Sequence, residues 1–194
     1  MRRSWRAALA GILLAGSGAM AGVTLYPAPA GLEPAPDFRV TVDGRETFVF
    51  SSPAAAFAHF SFSGSVRVKV TLLRGAQFPP ALKYTAWGMS FYPEPYEPPL
   101  KQIDIRPKRL GIQPTPEGDS FSFELSRPAN LSIEINGNLL RPLFLFAAPP
   151  ETDAPSPEDP KVRYFAPGKV YDAGALKLAS GETLYIAGGA VVRG

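Results

Sequence analysis

The sequence predicts an all-β protein, an antiparallel β-sandwich followed by the first coil of a solenoid of strands, and two observations carry the prediction. From Phe38 to Phe146, short segments alternate apolar with polar residues at intervals of roughly ten, with Gly, Pro, Asp-Gly and Asn-Gly between them, which is the spacing of a sandwich. From Leu176 to Val192, three still shorter apolar runs (Leu176 with Leu178, Leu184 with Ile186, Val191 with Val192) are broken by corners at Gly181, Gly188 and Gly189. Runs this short do not make helices. Leu or Ile facing inward between outward Lys, Thr or Tyr is the period of a strand, and closing corners wind the chain onto itself. One coil cannot bury its own apolar face, because each repeat is covered by the next. The sequence is therefore expected to stop inside a longer array, truncated in its solenoid.

The chain has 194 residues, enough to bury a sizeable core. Residues 1–21 read as a secretory signal peptide: basic Arg2, Arg3 and Arg6, an apolar run from Ala7 to Ala15, and Ala19-Met20-Ala21 as a small-x-small cleavage site. That run is well short of the roughly 20 residues that span a bilayer, so no stable membrane insertion is expected once it is cleaved. The Arg2-Arg3 pair admits a twin-arginine route, but the rest of that pattern is absent. The expected location is secreted or periplasmic.

Of 20 basic and 17 acidic residues, the signal segment holds three bases and no acid, so the mature chain is electrically balanced. The electrostatic footprint of a nucleic-acid binder is missing. A neutral polysaccharide is a compatible partner. There is no cysteine, which excludes a disulfide scaffold, thiol nucleophiles and thiolate metal sites.

In chain order, residues 22–36 read as an exposed Ala/Pro/Gly linker. Residues 37–147 read as the sandwich. Phe38 to Val42 and Thr47 to Phe50 form a hairpin around Asp43-Gly44. Phe57 to Phe62 and Val66 to Leu72 continue the alternation, so each strand has a dry side and a wet side. Residues 77–99 crowd aromatics with Pro93, Pro95, Pro98 and Pro99, which forbid a central strand; a long ordered loop or an edge strand ending in one is expected. Segments 102–106, 120–125, 131–135 and 143–146 complete about eight strands. Residues 148–160 hold Pro149, Pro150, Pro155, Pro157 and Pro160 and read as a stiff spacer before the coil of residues 161–194.

His59 is the single histidine. It lies mid-strand with no serine or second histidine placed for a relay, so a structural role is expected, and neither a metal site nor a cofactor is assigned. Carboxylate pairs remain, since glycoside hydrolysis needs two carboxyl groups about 5 to 10 Å apart. Asp104, Asp119, Glu124, Glu134 and Asp172 are scattered, and spacing singles out no pair; Asp172 reads as a turn residue. Trp87, Phe91, Tyr92 and Tyr96 could stack on sugar rings, with Trp87, Tyr92 and Tyr96 the assigned substrate-binding candidates. The rival reading is packing of a proline-rich loop. Asn130-Leu131-Ser132 matches a glycosylation sequon on a strand, a poor acceptor.

The segments Tyr164 to Gly174 and Ser180 to Gly194 resemble the opening of the right-handed parallel β-helix of secreted polysaccharide hydrolases. They are most similar to the dextranase and isopullulanase group, with the polygalacturonase-like group second. In the first group a β-sandwich precedes the β-helix, and Phe57 to Phe62 and Leu143 to Ala147 are similar to stretches of it. The resemblance covers roughly residues 37–194. It implies a glycosidase acting on an α-glucan such as dextran by an inverting mechanism, with aspartates on later coils that have no counterpart here. No catalytic residue is assigned, and the polypeptide alone is expected to be inactive. The alternative is a stand-alone carbohydrate-binding or structural sandwich module.

Overall fold

Alternation fixes which side of each strand is dry, and two such sides face each other here. The structure, a computed structural model, describes residues 22–52, 54–73, 84–86, 89–91 and 100–194. The strands are β1 (Val23–Leu25), β2 (Phe38–Val42), β3 (Arg45–Thr47), β4 (Val49–Ser51), β5 (Ala56–Phe62), β6 (Val66–Leu72), β7 (Tyr84–Ala86), β8 (Met89–Phe91), β9 (Ile103–Arg106), β10 (Thr115–Glu117), β11 (Ser120–Leu125), β12 (Ala129–Ile135), β13 (Asn138–Ala148), β14 (Val162–Phe165), β15 (Val170–Asp172), β16 (Thr183–Ile186) and β17 (Val191–Arg193). A six-stranded sheet runs β1, β5, β13, β12, β9, with β4 also on β5; a five-stranded sheet runs β10, β11, β6, β2, β3.

The inner faces of the two sheets share one core. Val40, Val68, Val70, Phe121 and Phe123 from the five-stranded sheet meet Ala58, Phe60, Leu131, Ile133, Leu143 and Leu145 from the six-stranded one, all buried. Each large apolar side chain so buried is worth about 1.5–3 kcal/mol relative to exposure. The predicted sandwich is present, with one pair that alternation does not reveal: β13 runs parallel to β5, Leu143 beside Ala56. A parallel neighbour needs a long crossover, and the chain between β5 and β13 supplies it by passing through the second sheet.

The hairpin at Asp43-Gly44 forms as expected, with φ of 48° and 77° at the two turn residues. Its return strand does not continue to Phe50. Arg45–Thr47 pairs with β2, and after Phe48 the chain crosses to the other sheet, where Val49–Ser51 pairs with β5. At the far side of the sandwich Arg141 is fully buried, its Nη1 donating to the Ser52 carbonyl at 2.5 Å and its Nη2 to Ser51 Oγ at 2.9 Å.

The segment 22–36, expected to be an exposed linker, differs most from the sequence reading. Val23–Leu25 pairs antiparallel with Phe60–Phe62, and Val23 and Leu25 pack on the core. Three residues carry too little periodicity to announce a strand; the waiting edge of β5 makes one. Of segment 77–99, the described part is the antiparallel pair β7 and β8. The signal-peptide reading of residues 1–21 lies outside the described residues.

The predicted coil is there. β14 pairs parallel with β16 and β15 with β17, Val162 beside Thr183 and Val170 beside Val191, so one turn takes 21 residues in both sheets. The run at Leu176 and Leu178 is not a strand but part of the corner between β15 and β16. The inward assignment is corrected at Ile186, which is 48% exposed, while the Tyr185 ring lies 5.0 Å from that of Tyr164 on the preceding turn. Phe165 and Tyr171 meet edge to face at 4.9 Å, and Tyr171 Oη accepts the Ala166 N–H at 3.0 Å.

Candidate functional site

The feature that organises the chemistry is the junction of coil and sandwich, built by residues 26–30. Leaving β1, the chain places Tyr26 on the outer face of the six-stranded sheet, its ring 4.6 Å from that of His59 and its hydroxyl 2.6 Å from Ser61 Oγ. The other side of the ring faces Gly188, where an added Cβ would lie 2.2 Å from Tyr26 Cε1. At Gly189, with φ of 83°, a Cβ would lie 2.7 Å from the Pro27 carbonyl oxygen. Only glycine allows this approach. The Ala30 N–H donates to the Gly168 carbonyl at 2.9 Å, so the same five-residue strap binds both turns of the coil. Beside it a small cleft of about 170 Å³ is lined by Phe48, Phe50, Phe57 and His59 from the sandwich and Ala190 and Val191 from the coil.

His59 has the structural position expected of it. Burial pushes its pKa below the ordinary histidine value although part of the residue stays open to solvent, and Tyr26 is its ring neighbour. Tyr26 is not recognisable as its partner from sequence, because the contact crosses from a segment without strong periodicity.

The structure brings together one pair of the scattered carboxylates. Glu134 and Asp104 are direct cross-strand partners of β12 and β9. Each is held by a cation: Arg106 Nε donates to Glu134 Oε1 at 2.9 Å, and Lys108 Nζ donates to Asp104 Oδ1. The hydrogen bond from Lys108, then that from Gln102, holds the Asp104 carboxyl below its usual pKa. A general acid needs the opposite shift. Glu124 lies 3.4 Å from Arg67, and Asp119 is in the turn before β11. Asp172 does not occupy a turn. It ends β15, exposed, with Arg193 of the next turn at 4.0 Å. Glu134, Asp104, Glu124 and Asp172 thus lie on charge-balanced surfaces, and no cluster of three or more metal-ligating side chains occurs among the described residues.

Two other surfaces are open. The outer face of the six-stranded sheet carries Phe50, Phe57 and Phe144 in one cross-strand row, with ring centroids 6.2 and 5.6 Å apart, and Phe146 beside them. On the other sheet a polar groove of about 390 Å³ is lined by Arg67, Gln113, Ser122, Glu124 and Arg127. Trp87, Tyr92 and Tyr96, the assigned sugar-stacking residues, lie outside the described residues; Phe91 ends β8. Asn130 is exposed on β12.

The sandwich followed by a parallel coil has a counterpart among solved structures. The chain is similar in fold to Dex49A from Penicillium minioluteum. The TM-score is 0.55 at 14% identity, and the match covers 87% of this chain and 44% of that one, so the chain spans less than half the length of Dex49A. At that identity the likeness concerns the fold alone. No family model matches the chain, and no curated protein matches it in sequence. No helix among the described residues is long and apolar enough to cross a membrane.

Proposed function

We propose that the chain is the N-terminal portion of a secreted, polysaccharide-degrading glycoside hydrolase in which the sandwich braces a parallel β-helix. An α-glucan such as dextran is the substrate class, and the catalytic aspartates lie on later coils. The observation that carries the reading is the in-register parallel turn clamped to the sandwich at Tyr26 and Gly188. A clamp of that closeness fixes the orientation of a repeat array, as a brace must. The resemblance of residues 164–194 to the dextranase group and the fold likeness to Dex49A both support it. Glu124, Glu134, Asp104 and Asp172 each lie against a cation, which supports placing the chemistry elsewhere.

The test has two arms. Purified residues 22–194 should release no reducing sugar from dextran, pullulan or polygalacturonate, whereas the product of the coding DNA read past Gly194 should cleave dextran. Release by residues 22–194 that disappears in Asp172→Asn, or an in-frame stop codon after Gly194 in an intact gene, would overturn the reading.

A further inference from the structure

We propose that the outer aromatic face of the six-stranded sheet, with Phe57, Phe144 and Phe146 at its centre, is the seat on which the coils following β17 rest. The inference rests on the reading of the chain as the start of a longer β-helix and adds where that helix lies.

The existing interface has a direction. The corner of the first turn, at Gly168, meets Pro27 and Ala28, with Ala30 bonded to its carbonyl; the corner of the second turn, at Gly189, meets Tyr26 and Pro27. One turn thus moves the contact back along the strap toward the sheet, and Ala190 and Val191 already share a cleft with Phe50 and Phe57. Stacked parallel turns rise by the distance between neighbouring strands, about 4.7–4.9 Å, and the strands of the sandwich are spaced by the same distance. Each added turn therefore advances by about one strand across the sheet. Phe50, Phe57 and Phe144 stand in register on the consecutive strands β4, β5 and β13. The third turn would rest over Phe57 and the fourth over Phe144.

The chemistry of the face agrees with an apolar occupant of limited extent. Beyond Phe144 the row continues through Ser132 to Arg106, which is paired with Glu134, so the apolar seat ends where charge begins. Phe146 is 37% exposed, a large apolar group covered only in part by the rings of Phe57 and Phe144. The occupying corners should carry small or aliphatic residues, as Gly188 to Val191 do at the part of the interface already formed.

The chain has no cysteine, so single thiols report cleanly. Phe144→Cys and Phe146→Cys, with Leu139→Cys on an exposed hairpin as control, would be labelled with a maleimide in residues 22–194 and in the longer encoded polypeptide. The expected result is rapid labelling of all three in residues 22–194. In the longer polypeptide the two face positions should slow by about tenfold or more, a factor set by how rarely a seated coil opens, while Leu139→Cys stays fast. Equal labelling at 144 and 146 in a longer polypeptide that cleaves dextran overturns the seat and leaves the proposed function standing. Absence of any further coil in the encoded sequence overturns both. Protection already present in residues 22–194, accompanied by dimer in sedimentation, assigns the face to a second copy and also overturns the proposal.

Discussion

Arg141 and Asp37 form a two-pronged ion pair from which solvent is fully excluded: Nε donates to Oδ2 at 2.9 Å and Nη2 to Oδ1 at 3.2 Å, with both side chains 0% exposed. The pair joins β13 of one sheet to the residue that leads into β2 of the other, so it crosses the sandwich. Removing one partner leaves a buried charge without its counter-ion, which costs about 3–5 kcal/mol. Arg141→Met and Asp37→Asn should each lower the unfolding free energy in urea by that amount. Combining Arg141→Met with Asp37→Leu should recover most of the loss. Single substitutions costing under about 1 kcal/mol, the range of an exposed pair, would contradict the assignment.

Gly188→Ala should dislodge Tyr26, because the added methyl carbon would lie 2.2 Å from Cε1 of its ring, inside van der Waals contact. Overpacking of this kind costs about 1–3 kcal/mol. Amide exchange should quicken in residues 162–193 while the core strands β5, β6 and β12 keep their protection. In a double-mutant cycle Tyr26→Ala should relieve most of the cost of Gly188→Ala; additive effects would mean the two residues do not act as one contact.

The sandwich was legible because its strands have one wet side: Val66 to Leu72 and Phe38 to Val42 alternate as the burial later shows. The coil was legible from its glycine corners. The junction was not. Tyr26 and Gly188 are far apart in sequence, and neither residue type announces a contact; one signal was available in the adjacent pair Gly188-Gly189, where only the second has a positive φ and the first is required by space alone. Arg141 and Asp37 were missed for a related reason: both lie just outside the segments that alternation marks as strands, where a charge looks like a solvated turn residue until its partner is placed.

Tyr185 donates a hydrogen bond to Glu151, and that bond, before burial, raises its pKa to about 12. The folded chain therefore holds this proton more tightly than the unfolded chain. The stabilisation is complete below the ordinary tyrosine value of about 10 and is lost as pH rises through about 12. An ultraviolet phenolate titration should show one late tyrosine. Glu151→Gln should bring it down toward the others, and a titration unchanged by that substitution would show that the tether between spacer and coil is not formed.

His59 works in the opposite direction. Its pKa is lowered by burial, so on acidification the unfolded chain takes up the proton first. The associated stability is full above the ordinary histidine value of about 6.5 and drains as pH falls through the folded value. His59→Gln should flatten the stability profile as pH falls below about 6.5. Thermal melts of the two proteins that stay parallel across that range would exclude His59 as the source.

The strap that holds the coil has a consequence for the order in which the molecule is made. Its residues are synthesised before most of the sandwich, and the glycines they receive come after all of it. At about 5–20 residues per second, the intervening chain takes roughly ten to thirty seconds to appear. Until then Tyr26 has its place beside His59 but nothing on its other side. The sandwich can mature alone during that interval, whereas the coil has only its first corner, bonded at Gly168 to Ala30, until Gly188 arrives. Closure of this contact therefore follows folding of the sandwich, and a substitution there should delay docking of the second turn without slowing the formation of the domain that precedes it.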